Sequence, residues 1–375
     1  MRHAIPCLAL AVLISACASS SAPDVAQRAS GAAVSGRIGH VFIIILENEN
    51  ADTSFGPSSP APYLSQTLVS LGAFAPNYYG TGHASLDNYI SMVSGQAPNA
   101  ETQGDCPFFN NVFPGVLIPD GSGQIFGQGC VYPASALTLA DQMTAAGLTW
   151  RGYMEDMGND LARDGSATCS HPALNSQDGT EAASAADNYA TRHNPFMYFH
   201  SIIDDQAGCD AHVVPLPPLE QDLQGVATTP NFVFITPSLC HDGHDAPCVN
   251  GEPGGLVSID AFLQEWVPKI VNSPAFQQDG LLIVTFDEAS TSDATACCSE
   301  PMGFSTIAPG IGGAGGGRVG AVLLSSRIKP GTVSEVPYNH YSMLRSVEDI
   351  FGLAHLGYAG ADGLAPFGDD IFTNK

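Results

Sequence analysis

Carboxylates and histidines follow three apolar runs of this chain, each at the point where the run ends. The runs are 40–46, 231–236 and 281–286. The polar residues that follow them are Glu47 and Asn48, then His241, Asp242 and His244, and finally Asp287 and Glu288. Clustered carboxylates repel one another unless a proton or a cation lies between them. If the three run ends meet in the fold, the pattern predicts a bound cation.

The residue types restrict which ion this would be. The oxygen donors Glu47, Asn48, Asp287 and Glu288 suit calcium, magnesium or manganese. Participation of the histidines after the second run would favour zinc or iron. A solvated strand end is the alternative interpretation of any one pair, but three such ends on one chain favour the cation.

The same three runs predict the fold. They are continuous, β-branched and aromatic, without the alternation of a half-exposed strand. Such runs are typical of strands that are covered on both faces, as in a parallel sheet flanked by helices. We therefore expect an α/β fold with a mostly parallel central sheet and helices on both faces. Ligands of these sheets bind beyond the carboxyl ends of the strands, where the polar residues lie.

Helical spacing appears between the runs. Apolar residues from Ile259 to Ile270 keep a period near 3.6, with Ser258 as the expected N-cap and Asp260 in the first turn. Two further helices are expected over 139–146 and 341–351, each followed by a glycine. The alternation of strand and helix supports a parallel sheet.

A serine lies at the start of another expected helix. The segment 81–95 has a glycine-containing beginning, Ser85 near its helix start and Gly95 at its end. Unpaired amides at a helix start stabilise an anion, such as a phosphoryl group or a serine alkoxide. The alternative is that Ser85 is only an N-cap.

Two other patterns carry less weight. The stretch 310–315 matches GxGxxG, but it precedes an expected strand at 319–325 instead of following one, so no dinucleotide cofactor is expected. Paired carboxylates also occur in glycosidases. Asp287 and Glu288 are neighbours, however, and neighbours that leave a strand point apart, which fits metal binding better.

The N-terminus is typical of an exported lipoprotein. An apolar stretch over 4–14 is too short for a stable membrane span and ends in Leu-Ile-Ser-Ala before Cys17. We expect a lipoprotein signal peptide at 1–16, lipidation at Cys17, a Ser/Ala-rich tether at 17–36 and a single domain at 37–375. The protein would then be anchored in the cell envelope. An ordinary secretory cut near Ala22 is the alternative and would release the protein.

The net charge limits the kinds of partner that the protein can bind. The net charge is −25 with only 12 lysines and arginines, which excludes nucleic-acid binding through a basic surface. An anionic substrate would need local positive charge, such as a metal ion.

Without Cys7 and Cys17, eight of the ten cysteines remain, and in an exported protein we expect them to form disulfides. A zinc cluster is the alternative, but the chain has no CxxC pair.

Five motifs in chain order carry a resemblance to a known family. They are Ile45-Leu46-Glu47-Asn48-x-x-x-Asp52, His83-x-Ser85-x-x-Asn88-Tyr89, Asp242-Gly243-His244-Asp245, Thr285-Phe286-Asp287-Glu288 and His340-Tyr341-Ser342-x-Leu344-Arg345-x-x-Glu348-Asp349-x-x-Gly352-Leu353. The pattern resembles the bacterial phosphoesterase family of the alkaline-phosphatase-like superfamily, which contains acid phosphatases and phosphatidylcholine-type phospholipases C. The chain looks most similar to the compact secreted acid phosphatases, including phosphoinositide phosphatases.

The resemblance also covers Gly152–Asp156 and Tyr189–Phe196, and it implies a role for each matched residue. The implied metal ligands are Glu47, Asn48, Asp287 and Glu288, with calcium, magnesium, manganese or zinc as the ion. The implied catalytic residues are Ser85 as nucleophile and His193, His244 and His340 as phosphate contacts or proton donors. The implied phosphate-binding residues are His83, Asn88 and Asp242, of which Asp242 would alternatively bind the metal or orient His244.

The expected activity is metal-dependent hydrolysis of phosphate monoesters through a serine phosphoenzyme. The substrate would be a small phosphate ester or a phospholipid-derived one. A phospholipase C or phosphodiesterase of the same family is the first alternative. Family members with phospholipase C activity usually carry a large extra C-terminal region, whereas this chain ends at Lys375, which favours the monoesterase. A surface-anchored binding lipoprotein without catalysis is the alternative of another class.

Overall fold

The structure is a computed structural model that describes Met1 and residues 38–118, 122–299 and 315–374. The predicted signal peptide beyond Met1, Cys17, and the tether lie outside the described residues. So do the first five residues of the 310–315 pattern. From Ile38 to Asn374 the described residues belong to one unit.

Fourteen strands occur in the described part of the chain, and eight of them form one central sheet in the order β13-β2-β12-β11-β1-β10-β7-β9. The strands are β1 (His40–Leu46), β2 (Ala73–Ala75), β3 (Tyr78–Tyr79), β4 (Phe108–Phe109), β5 (Phe113–Leu117), β6 (Ile125–Gln128), β7 (Trp150–Met154), β8 (Ser176–Gln177), β9 (Val213–Pro215), β10 (Phe232–Thr236), β11 (Gly280–Phe286), β12 (Ala321–Ser325), β13 (Thr332–Val333) and β14 (Tyr338–Asn339).

The centre of the sheet is parallel, which confirms the predicted α/β class. β1 lies between β10 and β11, and β7 and β9 continue the sheet on the β10 side, all in parallel. On the other side β12 runs antiparallel to both β11 and β2. The three polar-tipped runs are thus the adjacent strands β10, β1 and β11, and their carboxyl ends meet at one edge.

Burial explains why these three runs form the centre. Every residue of β1, β10 and β11 is buried, so both faces of the sheet are covered by other elements. Full burial of a large aliphatic or aromatic side chain contributes about 1.5–3 kcal/mol to stability. The continuous apolar sequence therefore matches a strand with two covered faces.

The described helices are mostly short, and none is both long and apolar enough to cross a membrane. The α-helices are α1 (Ala51–Ser54), α2 (Val69–Leu71), α3 (Ser85–Ser94), α4 (Leu139–Ala145), α5 (Leu161–Asp164), α6 (His200–Ile203), α7 (Gln206–His212), α8 (Leu219–Asp222), α9 (Gly255–Val271), α10 (Pro274–Asp279) and α11 (His340–Phe351). Short 3-10 turns and one π-helical segment, Tyr63–Leu68, complete them.

The predicted helices are found, with one error at a start. α11 is capped by Gly352 and α3 by Gly95, both in the left-handed conformation that glycine adopts without strain. α9 begins four residues before the expected start, so Ser258 lies inside the helix and the predicted N-cap is wrong. The Asp260 carboxylate instead accepts hydrogen bonds from the amides of Tyr63 and Leu64 at 2.8 and 3.1 Å.

The eight remaining cysteines form four disulfides, as expected for an exported protein. The pairs are Cys106–Cys130, Cys169–Cys209, Cys240–Cys248 and the neighbouring Cys297–Cys298. The third pair encloses the polar segment that follows β10.

Burial of Glu348 on α11 predicts a pH dependence of stability. One carboxyl oxygen accepts a hydrogen bond from the Leu356 amide at 2.8 Å, and burial raises the pKa of Glu348 to about 9, against 4.5 for the ordinary group. Above pH 4.5 the unfolded chain releases a proton that the folded chain retains, so this group lowers stability as pH rises towards 9. Glu348→Gln keeps the acceptor and cannot ionise. Its free energy of unfolding should exceed that of the wild type by more at pH 8 than at pH 5, measured by urea denaturation.

The matched control is Glu265→Gln, whose side chain is 60% exposed. It should change the free energy of unfolding by only a small amount at both pH values. A gain for Glu348→Gln that is equal at the two pH values would contradict the assignment.

Candidate functional site

The site is organised around Glu47, the first residue after β1. Its side chain is fully buried. One carboxyl oxygen accepts the Ser85 hydroxyl at 2.8 Å, and the other accepts the Tyr89 hydroxyl at 2.6 Å. Ser85 and Tyr89 are four residues apart on α3, which places them on one helix face. Sequence reasoning assigned no role to Tyr89, although this spacing from Ser85 could have identified it.

A second carboxylate comes from the neighbouring strand. Leu46 pairs with Phe286, so Glu47 and Asp287 leave β1 and β11 at the same level. Asp287 accepts a hydrogen bond from the Asn48 amide at 3.2 Å. Burial raises the pKa of Glu47 well above its ordinary value, and the charge of Asp287 raises it further. The predicted meeting of these strand ends is therefore observed.

His193 and Asp242 complete the buried group. The Nδ1 atom of His193 lies 2.9 Å from Asp242, and its Nε2 atom lies 3.5 Å from Glu47. Burial lowers the pKa of His193, so the ring is neutral. Its single proton on Nδ1 donates to Asp242, which leaves the Nε2 lone pair towards Glu47. The ring also stacks on Tyr89 with centroids 5.3 Å apart.

The group fits a divalent cation. Each of Glu47, His193 and Asp242 can supply one ligand atom, with these atoms within 4.8 Å of one another. Asp287 Oδ2, Asn48 Oδ1 and His193 Nε2 are buried without a hydrogen-bond partner among the described residues. Unpaired buried acceptors are costly, and a cation would satisfy them. Carboxylates, an amide oxygen and an imidazole supported by a carboxylate form a ligand set for magnesium, calcium, manganese or zinc.

Glu288 differs from the other predicted ligands. Its side chain shares a hydrogen bond with His83 Nδ1 at 2.9 Å, and His83 Nε2 donates to the Asp293 carbonyl at 2.9 Å. Successive residues of an extended chain point to opposite sides. The side chain of Asp287 therefore faces Glu47, whereas that of Glu288 points away from Glu47. The structure thus pairs Glu288 with His83.

The loop before α3 is held by Asn88. Its amide oxygen accepts the backbone amides of Thr81 and Gly82 at 2.7 and 3.1 Å, and its amide nitrogen donates to the carbonyls of Gly82 and Ala84. These contacts fix the backbone that leads into Ser85. Asn88 was predicted to bind phosphate, and in the structure its side chain positions the loop that precedes Ser85.

His244 lies beside a buried arginine. Its Nε2 atom is 3.1 Å from a guanidinium nitrogen of Arg192, and its Nδ1 atom is 2.8 Å from Asp245. Since a guanidinium only donates, Nε2 accepts and the proton lies on Nδ1. Arg192 carried no role in the sequence analysis. Its contact with His244 spans 52 positions, which no local spacing could indicate.

His340 supports the end of β11. Its Nε2 atom donates to the Asp287 carbonyl at 2.5 Å, so its Nδ1 atom accepts the Tyr78 hydroxyl at 3.1 Å. Burial lowers the pKa of His340 to about 4, and the ring is neutral. His340 was predicted to contact phosphate or to donate a proton, and the contacts observed make it a positioning residue for Asp287.

His241 belongs to a different group. It lies between Glu155, at 2.9 Å, and Glu252, at 3.1 Å. The hydrogen bond to Glu155 is the main cause that raises the pKa of His241 to about 9. Its neighbour Cys240 is bound to Cys248 and offers no thiolate. The zinc alternative based on this histidine therefore lacks support from the geometry.

Comparison with known proteins now decides the family. The profile of the Phosphoesterase family matches residues 59–354, from before the Ser85 loop to the end of the last motif. The chain belongs to the Phosphoesterase family. The resemblance seen in the sequence is thereby confirmed.

Relatives of this phosphoesterase differ in length from it. A probable acid phosphatase of Kluyveromyces lactis is 22% identical over 94% of this chain, which spans 66% of that protein. A phosphatidylinositol-3-phosphatase of Mycobacterium tuberculosis is 24% identical over 85% of this chain, which spans 79% of it. A solved protein in the alkaline phosphatase superfamily from Vibrio parahaemolyticus has a TM-score of 0.48 at 13% identity, covering 90% of this chain and 72% of that chain.

The ligand set of the phosphoesterase predicts stabilisation by a divalent ion. An ion that binds only the folded chain stabilises it by about 2.7 kcal/mol at a hundredfold excess over its dissociation constant. Chelator-treated protein should therefore gain thermal stability on addition of magnesium, calcium, manganese or zinc, measured by circular dichroism. Glu47→Gln should lose most of this gain because it removes the central carboxylate.

Glu265→Gln is again the control, since its exposed carboxyl lies in an ion pair with Lys269 on α9. It should keep the full gain. An unfolding temperature that none of the four ions changes would contradict a cation site.

Proposed function

We propose that this phosphoesterase hydrolyses phosphate monoesters through a serine phosphoenzyme at a divalent-cation site. The observation that carries the proposal is the 2.8 Å hydrogen bond from Ser85, at the start of α3, to the buried carboxyl of Glu47. It joins a nucleophile to a proton acceptor. The names of the relatives, acid phosphatase and phosphatidylinositol-3-phosphatase, support the same class of reaction.

Ser85 would begin the reaction. It is the first residue of the ten-residue helix α3, where the helix dipole stabilises negative charge. Its hydroxyl proton passes to Glu47 as its oxygen forms a bond to phosphorus. The ester P–O bond breaks and the leaving alcohol takes up one proton. A water molecule then displaces Ser85 from phosphorus and releases inorganic phosphate.

The cation would be held by Glu47, Asn48, Asp287, Asp242 and His193. When bound, it would neutralise phosphate oxygens and favour ionisation of the serine. Tyr89 keeps Glu47 in place by its hydrogen bond, and Asp242 keeps His193 in one tautomer.

His244 is the proposed donor of the proton to the leaving alcohol. Its side chain is 31% exposed, whereas those of His193 and His340 are buried. In the described structure Arg192 occupies its Nε2 atom. A phosphate that takes over the hydrogen bonds of Arg192 would free the Nε2 lone pair to take up a proton from water, which His244 would then donate to the leaving alcohol.

Replacement of Ser85 tests the mechanism. Ser85→Ala should lower turnover of p-nitrophenyl phosphate by at least about a thousandfold, because no other described hydroxyl shares its place at Glu47 and the helix start. Ser94→Ala on the same helix is the matched control. The Ser94 hydroxyl bonds to the Ile90 carbonyl at the far end of α3, and its loss should leave turnover near that of the wild type.

The products separate the alternatives. Inorganic phosphate released from monoesters supports the proposal. Diacylglycerol released from phosphatidylcholine would identify a phospholipase C, and binding of esters without any product would identify a binding lipoprotein. Near-native turnover by Ser85→Ala would exclude the serine phosphoenzyme.

We further propose that the protein is exported and anchored by a lipid at Cys17. The support is the apolar stretch over 4–14 that ends in small residues before Cys17. Mass spectrometry of the mature protein should find a chain that begins at a diacylated Cys17. Cys17→Ser should abolish the modification, whereas Cys7→Ser, inside the predicted signal peptide, should not change it. An unmodified chain that begins near Pro23 would show ordinary secretion instead.

A further inference from the structure

The hairpin formed by β5 and β6 carries large apolar side chains in solvent. Phe113 is 80% exposed, Val116 52%, Leu117 50% and Phe126 43%. Soluble proteins rarely expose several large apolar side chains side by side without a use for them. The hairpin is therefore the surface of the described chain whose exposure most needs an explanation.

Strand register places three of these side chains on one side. Val116 pairs with Phe126, and Phe113 pairs with Gln128. Paired residues share one side of a two-stranded sheet, and Phe126 and Gln128, two positions apart, also share it. We call Phe113, Val116 and Phe126 the hairpin face.

The hairpin is fixed from behind. Ile125 is 4% exposed, and its amide donates to the side chain of Gln96, just after α3, at 2.8 Å. The disulfide between Cys106 and Cys130 closes the base of the segment. The hairpin face is thus held in solvent by a rigid support and does not fold back onto the core.

The segment is nearly uncharged in a strongly acidic protein. Residues 106–140 contain one charged residue, Asp120, although the whole chain carries a net charge of −25. The acidic side chains on most of the protein surface would be repelled by an anionic membrane. They would also lose their hydrating water on contact with lipid. Apart from Asp120 the hairpin is uncharged, and its apolar face could enter the interface of a neutral bilayer at little electrostatic cost.

The base of the hairpin segment lies near the site, whereas the amide of Ile125 in β6 bonds to Gln96, beyond the carboxyl end of α3. Asp105, next to Cys106, accepts the Leu86 amide at 3.0 Å, one residue after Ser85. The described domain begins at Ile38, before the amino end of β1, whereas Glu47 follows its carboxyl end. A tether of residues 17–36 could extend about 70 Å and would not orient the domain. A contact through the hairpin face would orient it.

A second copy of the chain is a poorer occupant. Two phenylalanines bury about 300–500 Å² on each copy, below the roughly 800 Å² per partner of a stable protein interface. A bilayer requires no matched surface, and insertion of a few apolar side chains is sufficient for weak binding beside an anchor.

We propose that the hairpin face of Phe113, Val116 and Phe126 inserts into the interface of a neutral phospholipid bilayer and orients the domain on the membrane. The lipid contact itself does not depend on catalysis. The consequence that phosphate esters at the membrane surface are favoured substrates rests on the proposed function.

Tryptophan placed on the hairpin face tests the insertion. Phe113→Trp and Phe126→Trp are prepared in the full chain and mixed with phosphatidylcholine vesicles whose acyl chains carry bromine, which quenches nearby indoles. We expect a blue shift and loss of about half of the added emission in both variants, as for a side chain a few ångströms below the head groups. Trp150 and Trp266 are buried and contribute a constant background.

Leu71→Trp is the control, because Leu71 is 53% exposed and lies on α2 outside the hairpin. It should not be quenched, even if the lipid anchor holds the protein on the vesicle. Absence of quenching in both hairpin variants overturns the proposal. So does a blue shift that appears without vesicles and grows with protein concentration, since this identifies a second copy as the occupant. Quenching needs no turnover, so a failure of insertion remains distinguishable from a failure of the proposed activity.

Discussion

The buried carboxyl of Glu47 is the group on which the site depends. It has no exposed surface, it lies next to Asp287 and Asp242, and its two oxygens receive the hydroxyls of Ser85 and Tyr89. Burying one carboxylate beside two others raises the free energy of the folded chain unless a proton or a cation is bound. The parallel sheet brings the three carboxylates together, because the carboxyl ends of β10, β1 and β11 lie at the same edge.

The same arrangement shows why the fold and part of the site could be predicted. A strand buried on both faces must be continuously apolar, so its end is marked by the first polar residue, and Glu47 and Asp287 were found in this way. The Gly95 and Gly352 helix ends were equally local signals. The Ser258 cap failed because a serine may also lie inside a helix, and here Asp260 bonds to a segment almost 200 positions away.

The roles of individual histidines could not be read from the sequence. His83, His193 and His340 differ only in which distant atom each nitrogen meets: a glutamate, an aspartate or a backbone carbonyl. The sequence predicted a role at the phosphate for all three. In the structure His83 bonds to the side chain of Glu288 and His340 to the carbonyl of Asp287, so both hold the residues that follow β11. Arg192 was missed for the same reason, because its significance lies in its contact with His244.

The disulfide between Cys240 and Cys248 encloses a ring of the chain that contains both Asp242 and His244. In a reducing compartment this ring would be open, and the loop would lose part of the restraint that keeps Asp242 against His193. Oxidation of the two cysteines would then restore the restraint on this loop. In a phosphoesterase built in this way, the positions of Asp242 and His244 would depend on the redox state of the surroundings.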